Sequence, residues 1–147
     1  MASSIQIIKR TYPWSETVSG TEITFRLMVP DDRDAVVAFA MSQSATDRAF
    51  LRMNIADPEV VDGWIENIGR GRTVTIIAEG KGEVLGYGSL HHNEVLWASH
   101  LGEIRLFVDA RDRGLGIAEL LLNELFHVAH GMRLERVVCQ VPAAQDR

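Results

Sequence analysis

The stretch over residues 102–118, GEIRLFVDARDRGLGIA, constrains this chain more than any other. Alternating side chains predict a strand over 100–108 that runs straight into a turn containing Gly114 and Gly116. That turn opens onto a helical pattern over 115–130, where Ala118, Leu121, Leu122, Leu125, Phe126 and Ala129 form one broad apolar face. The first turn of a helix carries N–H groups with no internal partner and a partial positive charge, so it attracts phosphate. Glycines let a phosphate oxygen approach the backbone closely, and Arg111 and Arg113 add full charges beside it. In this order the features describe a pyrophosphate cradle. A dinucleotide fingerprint needs a third glycine at position 119, where Glu119 stands, and a nucleotide P-loop needs Gly-Lys-Ser/Thr, which the turn lacks.

The rest of the chain reads as alternating elements. A strand is predicted over 22–29, with Ile23, Phe25, Leu27 and Val29 on one face. Pro30-Asp31-Asp32 opens a helix whose apolar face is Val36, Val37, Phe39 and Ala40, and a polar stretch covers 42–48. Asp57-Pro58-Glu59 opens a second helix, with Val60, Val61, Trp64, Ile65 and Ile68 at helical spacing and Gly69 and Gly71 at its end. Strands follow over 73–79 and 84–91, joined by a hairpin at 80–83. Gly131 stands where the long helix should stop, and a final strand is predicted over 134–141, ended by Pro142. The last strand–helix–strand unit should be parallel and right-handed, the three strands before it antiparallel. Residues 1–20 lack a clear pattern and read as an N-terminal arm, leaving 21–147 as the domain.

Composition narrows the function. The chain has 147 residues, 46% of them hydrophobic, enough for one domain with a single sizeable core. The net charge of −5 argues against a nucleic-acid partner. No apolar run is long enough to span a bilayer and the start lacks a secretory pattern, so a cytoplasmic, non-membrane protein is expected. The single cysteine, Cys139, reads as a small buried hydrophobe. No metal is expected. His91 and His92 are adjacent on a strand and point to opposite faces, and His127 and His130 share a helix face with only Glu124 nearby. Trp14, Trp64 and Trp97 read as core or cleft wall, and Asp57, Glu59, Asp62 and Glu66 as a solvated helix face.

The turn and its setting resemble the GNAT superfamily of N-acetyltransferases, whose Arg/Gln-x-x-Gly-x-Gly/Ala signature reads here Arg111-x-x-Gly114-x-Gly116. The likeness extends over the element order from Glu22 to Val141. Phe25 to Arg52 and the Glu-Ile-Arg-Leu-Phe-Val strand look somewhat like bacterial protein lysine acetyltransferases.

The resemblance implies an α+β fold. Its sheet would be mixed, antiparallel strands plus one parallel pair, with helices on both faces. The strand before the turn would carry a bulge and splay from the last strand. Acetyl-CoA would then lie in the gap, held by backbone groups of Leu106, Phe107 and Val108. The backbone from Arg113 through Gly114, Leu115, Gly116 and Ile117 to Ala118 would hold its pyrophosphate. A primary amine, from a protein lysine, a protein N-terminus or a small molecule, would attack the thioester directly. Glu103 matches the place where some relatives keep a general base; a strand glutamate paired with Arg105 is the equal alternative. The family pattern continues with a helix and two strands that often supply a tyrosine acid, which Tyr12 and Tyr87 do not match. The sequence ends at Arg147, so the domain is expected to be C-terminally incomplete and either to pair with a second copy along its open edge or to be poorly soluble. A non-catalytic acyl-CoA-binding module of the same fold is the competing reading, and a nucleotide-phosphate binder of another fold the third.

Overall fold

The computed structural model describes residues 12–48, 54–92, 101–112 and 116–140. Their elements are β1 (Trp14–Val18), β2 (Thr21–Leu27), α1 (Arg33–Met41), α2 (Ala45–Arg48), α3 (Pro58–Gly69), β3 (Thr73–Gly80), β4 (Glu83–His92), β5 (Leu101–Val108), α4 (Ile117–Gly131) and β6 (Arg136–Gln140). The strands form one sheet in chain order, β1-β2-β3-β4-β5-β6. Neighbours are antiparallel except β5 and β6, which are parallel and joined through α4.

Helices cover both faces. On one, Ile76, Leu90, Ile104, Leu106 and Val108 of the sheet meet Ile117, Leu121, Leu125 and Val128 of α4. On the other, Ile77, Tyr87 and Phe107 meet Phe39 of α1 and Val61 and Trp64 of α3. Each fully buried leucine contributes about 2 kcal/mol by leaving water. The approach of α4 requires a residue without a side chain on β4. A Cβ at Gly88 would stand 2.6 Å from Leu125 Cδ1 and 2.8 Å from Leu106 Cδ2.

Local signals set several boundaries. Asp57 caps α3 by accepting from the Glu59 N–H at 3.0 Å, with Pro58 at the first helical position. The β3–β4 hairpin turns through Lys81 at φ 54° and Gly82 at φ 77°, the paired positive angles whose twist matches two strands.

Other expectations are corrected. The stretch read as an unpatterned arm contains β1, which pairs with β2 and stacks Trp14 on Phe25 at 5.1 Å. The polar stretch over 42–48 holds the short helix α2. Leu27 and Val29 are 37% and 47% exposed while Met28 is buried, because the sheet alternation ends at Leu27 and the chain turns into a 3-10 helix at Pro30–Asp32. Phe126 is 46% exposed, since the stripe of α4 facing the sheet is Ile117, Leu121, Leu125 and Val128, and Phe126 lies one residue round from it. Gly131 is buried inside the last turn of α4, not past its end. Arg133, at φ 60°, takes the left-handed position, with Leu134 N–H donating to Ala129 O at 3.1 Å and Arg133 N–H to His130 O at 3.0 Å. Cys139 is exposed instead of buried, because β6 is the outermost strand of the described sheet. The register between β4 and β5 is unbroken, so the implied bulge is absent there; a register shift lies instead at Ala78/Glu79 of β3. Trp97, His100 and Pro142 lie outside the described residues.

Candidate acetyl-donor site

β5 delivers the chain to the turn. On its β4 side it is paired through Val108, but on its β6 side pairing ends at Arg105↔Gln140 among the described residues. Leu106, Phe107 and Val108 have buried side chains, so their backbone groups are what they can offer a ligand on that side.

Beyond Val108, a 3-10 turn at Ala110–Asp112 leads toward the helix. Arg113, Gly114 and Leu115 lie outside the described residues. Gly116 is the N-cap of α4 at φ 89°, in the left-handed region that disfavours side chains. Apart from its chain neighbours, no described atom lies within 4 Å of where its Cβ would stand. The N–H groups of Ile117 and Ala118 belong to the first helical turn, where no intrahelical carbonyl reaches them.

Arg111 is exposed, but its guanidinium is held by Asp109, Nε to Oδ1 at 3.1 Å and Nη2 to Oδ2 at 3.0 Å. A shallow cleft of about 320 Å³ beside this pair is walled by Phe39, Ser42, Glu83 and Val84.

One polar patch interrupts the apolar face under α3. The sheet register aligns Thr73, His91 and Glu103 in one row and Thr75, Ser89 and Arg105 in the next. Glu103 Oε1 accepts from Arg105 Nε at 2.5 Å, and both side chains are a quarter exposed. Trp64 Nε1 donates to Thr75 Oγ1 at 2.9 Å, and Thr75 and Ser89 share a hydrogen bond of 2.8 Å. His91 Nδ1 lies 3.0 Å from Thr73 Oγ1, while its Nε2 is buried with no hydrogen-bond partner among the described residues. Burial, then the Arg105 charge, pushes the His91 imidazole down to about 4, against the smaller opposing pull of Glu103. Of the tyrosines, Tyr12 donates to Glu124 Oε1 at 2.6 Å, and Tyr87 is buried against Phe107, its phenol pushed up by that burial.

The remaining sequence candidates are structural in their surroundings. Asp62 pairs with Arg33 at 2.6 Å, Glu66 pairs with Arg70, and Asp57 caps α3. No group of three or more His, Cys, Asp or Glu that could hold a metal occurs among the described residues. Within the same limits, no helix is long and apolar enough to cross a membrane. The sequence reading missed Thr73, Thr75, Ser89, Gln43 and Asp109. Only Asp109 had a legible signal, its place between the strand and the arginine turn.

The family model of the GNAT acetyltransferases matches residues 40–147. The chain belongs to this family. The general reaction of GNAT acetyltransferases is acetyl transfer dependent on acetyl-CoA. Solved structures agree on the fold. The ribosomal-protein-alanine N-acetyltransferase from Brucella melitensis is 25% identical, with a TM-score of 0.63 over 78% of this chain and 72% of that one. The GNAT domain of S. lividans PAT is 18% identical, with a TM-score of 0.71 over 94% and 84%. A predicted acetyltransferase with acetyl-CoA from Clostridium acetobutylicum is 16% identical, with a TM-score of 0.67 over 84% and 83%. No curated protein matches the sequence. In this GNAT domain, the mixed sheet with one parallel pair and helices on both faces is the architecture that the resemblance implied.

His91, Asp32 and Asp109 make stability fall with acid in two steps, while Asp112, its carboxyl raised by burial, acts in the opposite sense. His91 has a folded value of about 4 against 6.5, so between them the unfolded chain binds the extra proton and stability drops as pH falls. Asp32 and Asp109 act lower. Burial raises each carboxyl, but hydrogen bonds from Arg26 to Asp32 and from Arg111 and Gln43 to Asp109 outweigh it and hold both below 3.8. Their stabilisation is complete above 3.8 and is lost as pH falls through their lowered values. Thermal melts from about pH 7 to about pH 3 should show both steps, and His91→Gln should flatten the upper one. An unchanged upper step in that variant shows that another group titrates there.

Proposed function

We propose that this domain transfers the acetyl group of acetyl-CoA to a primary amine by direct attack. The observation that carries the reading is the end of β5. Beyond Arg105, whose partner Gln140 is the last described residue of β6, the backbone over 106–108 leads toward Gly116, left-handed at the start of α4. Leu106, Phe107 and Val108 would hold the pantetheine arm through backbone groups. The N–H groups over 113–118, from Arg113 to Ala118, would hold the pyrophosphate. When bound, acetyl-CoA supplies the activated acyl group.

Glu103 is the proposed base. An ammonium has no lone pair, so the acceptor must lose a proton before its nitrogen bonds to the acetyl carbon and the carbon–sulfur bond breaks. The Glu103 carboxylate is partly exposed on the face of β5 beneath α3, where it can take that proton directly or through one water. Arg105 donates to one of its oxygens and leaves the other available. Protein lysines, protein N-termini and small amines remain the acceptor classes. The Brucella likeness supports testing protein N-termini first.

The Glu103–Arg105 pair also favours a second reading, an acyl-CoA-binding module in which this glutamate is a structural ion-pair partner. Release of free CoA, followed with an N-terminal peptide, a lysine peptide and a small diamine, separates the two. Acceptor-dependent release supports transfer. Tight acetyl-CoA binding with no release above the rate without protein supports the module. Absence of acetyl-CoA binding overturns both.

A further inference from the structure

Resting on the acetyl-CoA reading, we propose that Asp109 is the positioning residue of the phosphate turn, holding Arg111 as a strut of that turn instead of a cation aimed at phosphate. Asp109 is the first residue after β5 and is 3% exposed. Its backbone is fixed on both sides: its N–H donates to Leu85 O at 2.7 Å, and its carbonyl accepts from Asp112 N–H at 2.9 Å. Oδ1 accepts from the Arg111 N–H at 2.9 Å and from Nε at 3.1 Å. Oδ2 accepts from Arg111 Nη2 at 3.0 Å and from Gln43 Nε2 at 3.1 Å.

A carboxylate has about four lone-pair directions, and these contacts use them. Asp109 therefore has no acceptor capacity left for a substrate proton. What it can do is set the course of the chain entering the turn. Its bonds to the backbone and side chain of Arg111 fix the two residues that follow it. Its bond to Gln43 ties them to the segment leaving α1, the helix whose Phe39 packs edge-on against Phe107 of β5 at 5.8 Å. The cofactor turn and this wall of the site are thus mounted on one buried carboxylate. The same pairing neutralises Arg111, whose other charged neighbours, Glu83 at 4.0 Å and Asp112, are also acidic. A guanidinium committed bidentately to a carboxylate offers little net field to a phosphate.

Two roles for Arg111 give opposite signs in one experiment. If Asp109 masks a phosphate-binding cation, Asp109→Asn releases it and acetyl-CoA binds more tightly. If Asp109 positions the turn, the same change loosens the backbone and binding weakens. Calorimetry with acetyl-CoA on the full chain should show about tenfold weaker binding for Asp109→Asn and about threefold for Gln43→Met, which keeps length but loses the donor. The double variant Asp109→Asn with Arg111→Ala should bind no more weakly than Asp109→Asn alone, since both remove one strut. In turnover, KM for acetyl-CoA should rise while kcat stays within a few-fold.

Tighter binding by Asp109→Asn, additive losses in the double variant, or a collapse of kcat at unchanged KM each overturns the proposal. If Asp109→Asn fails to fold by circular dichroism, Gln43→Met decides: unchanged affinity there overturns it. A wild-type chain that does not bind acetyl-CoA overturns the underlying reading, whereas wild-type binding with unaffected variants overturns this inference alone.

Discussion

Glu103→Gln is expected to lower turnover by about two orders of magnitude or more while leaving acetyl-CoA affinity nearly unchanged. Glutamine keeps the size of the side chain and can still accept from Arg105 through its carbonyl oxygen, so the patch around His91, Ser89 and Arg105 should persist. What disappears is the proton acceptor. The loss should shrink at high pH, where solvent supplies the free amine. The affinity should hold because the proposed cradle begins at Leu106, beyond the Glu103–Arg105 pair along β5. Rates of CoA release across pH, with binding measured separately, check both halves. Normal turnover with glutamine at 103 would make the Glu103–Arg105 pair structural, and desolvation of the amine or a water chain would have to replace the base.

Gly116→Val is expected to weaken acetyl-CoA binding by several kcal/mol through two separable effects. The first is conformational. Gly116 sits at φ 89°, where a β-branched residue is strained by roughly 1–3 kcal/mol, and α4 begins at the next residue. The second is steric. The space about its Cβ position is open among the described atoms, so the valine methyls would fill the space proposed for phosphate. Gly116→Ala keeps much of the strain but adds less bulk, so it should bind more tightly than the valine variant at similar thermal stability. Calorimetry paired with melting curves reads the two effects apart. A folded Gly116→Val protein that binds acetyl-CoA like wild type would remove the pyrophosphate from this turn.

Several features could be read before any coordinates because they obey rules acting over a few residues. The Asp57-Pro58-Glu59 start of α3, the Lys81-Gly82 hairpin and the strand–turn–helix around Gly116 each follow from a cap, a positive φ or a run of alternation. The parallel pairing of β5 with β6 follows too, since a strand–helix–strand unit packs back on its sheet with one hand. Where two local signals compete, sequence reading picks the wrong one. Gly131 offers the glycine of a helix stop, yet the buried packing of α4 carries the helix through it and leaves the left-handed turn to Arg133.

What the sequence by itself determined about this protein is therefore the order of its elements from β2 to β6, the short α2 apart, and the glycine at the start of α4, which depend on residues next to one another. The tertiary structure alone decided which side chains share the site. Gln43 meets Asp109 across 66 residues of chain, and Thr73, His91 and Glu103 align only because β3, β4 and β5 are neighbours in the sheet. It also decided that Arg111 spends its charge on Asp109, and that Cys139 is exposed on an outermost strand. The physical reason is range. Caps, turns and alternation act within about four residues, whereas an ion pair or a burial depends on which distant strand arrives beside it, and no local spacing records that arrival.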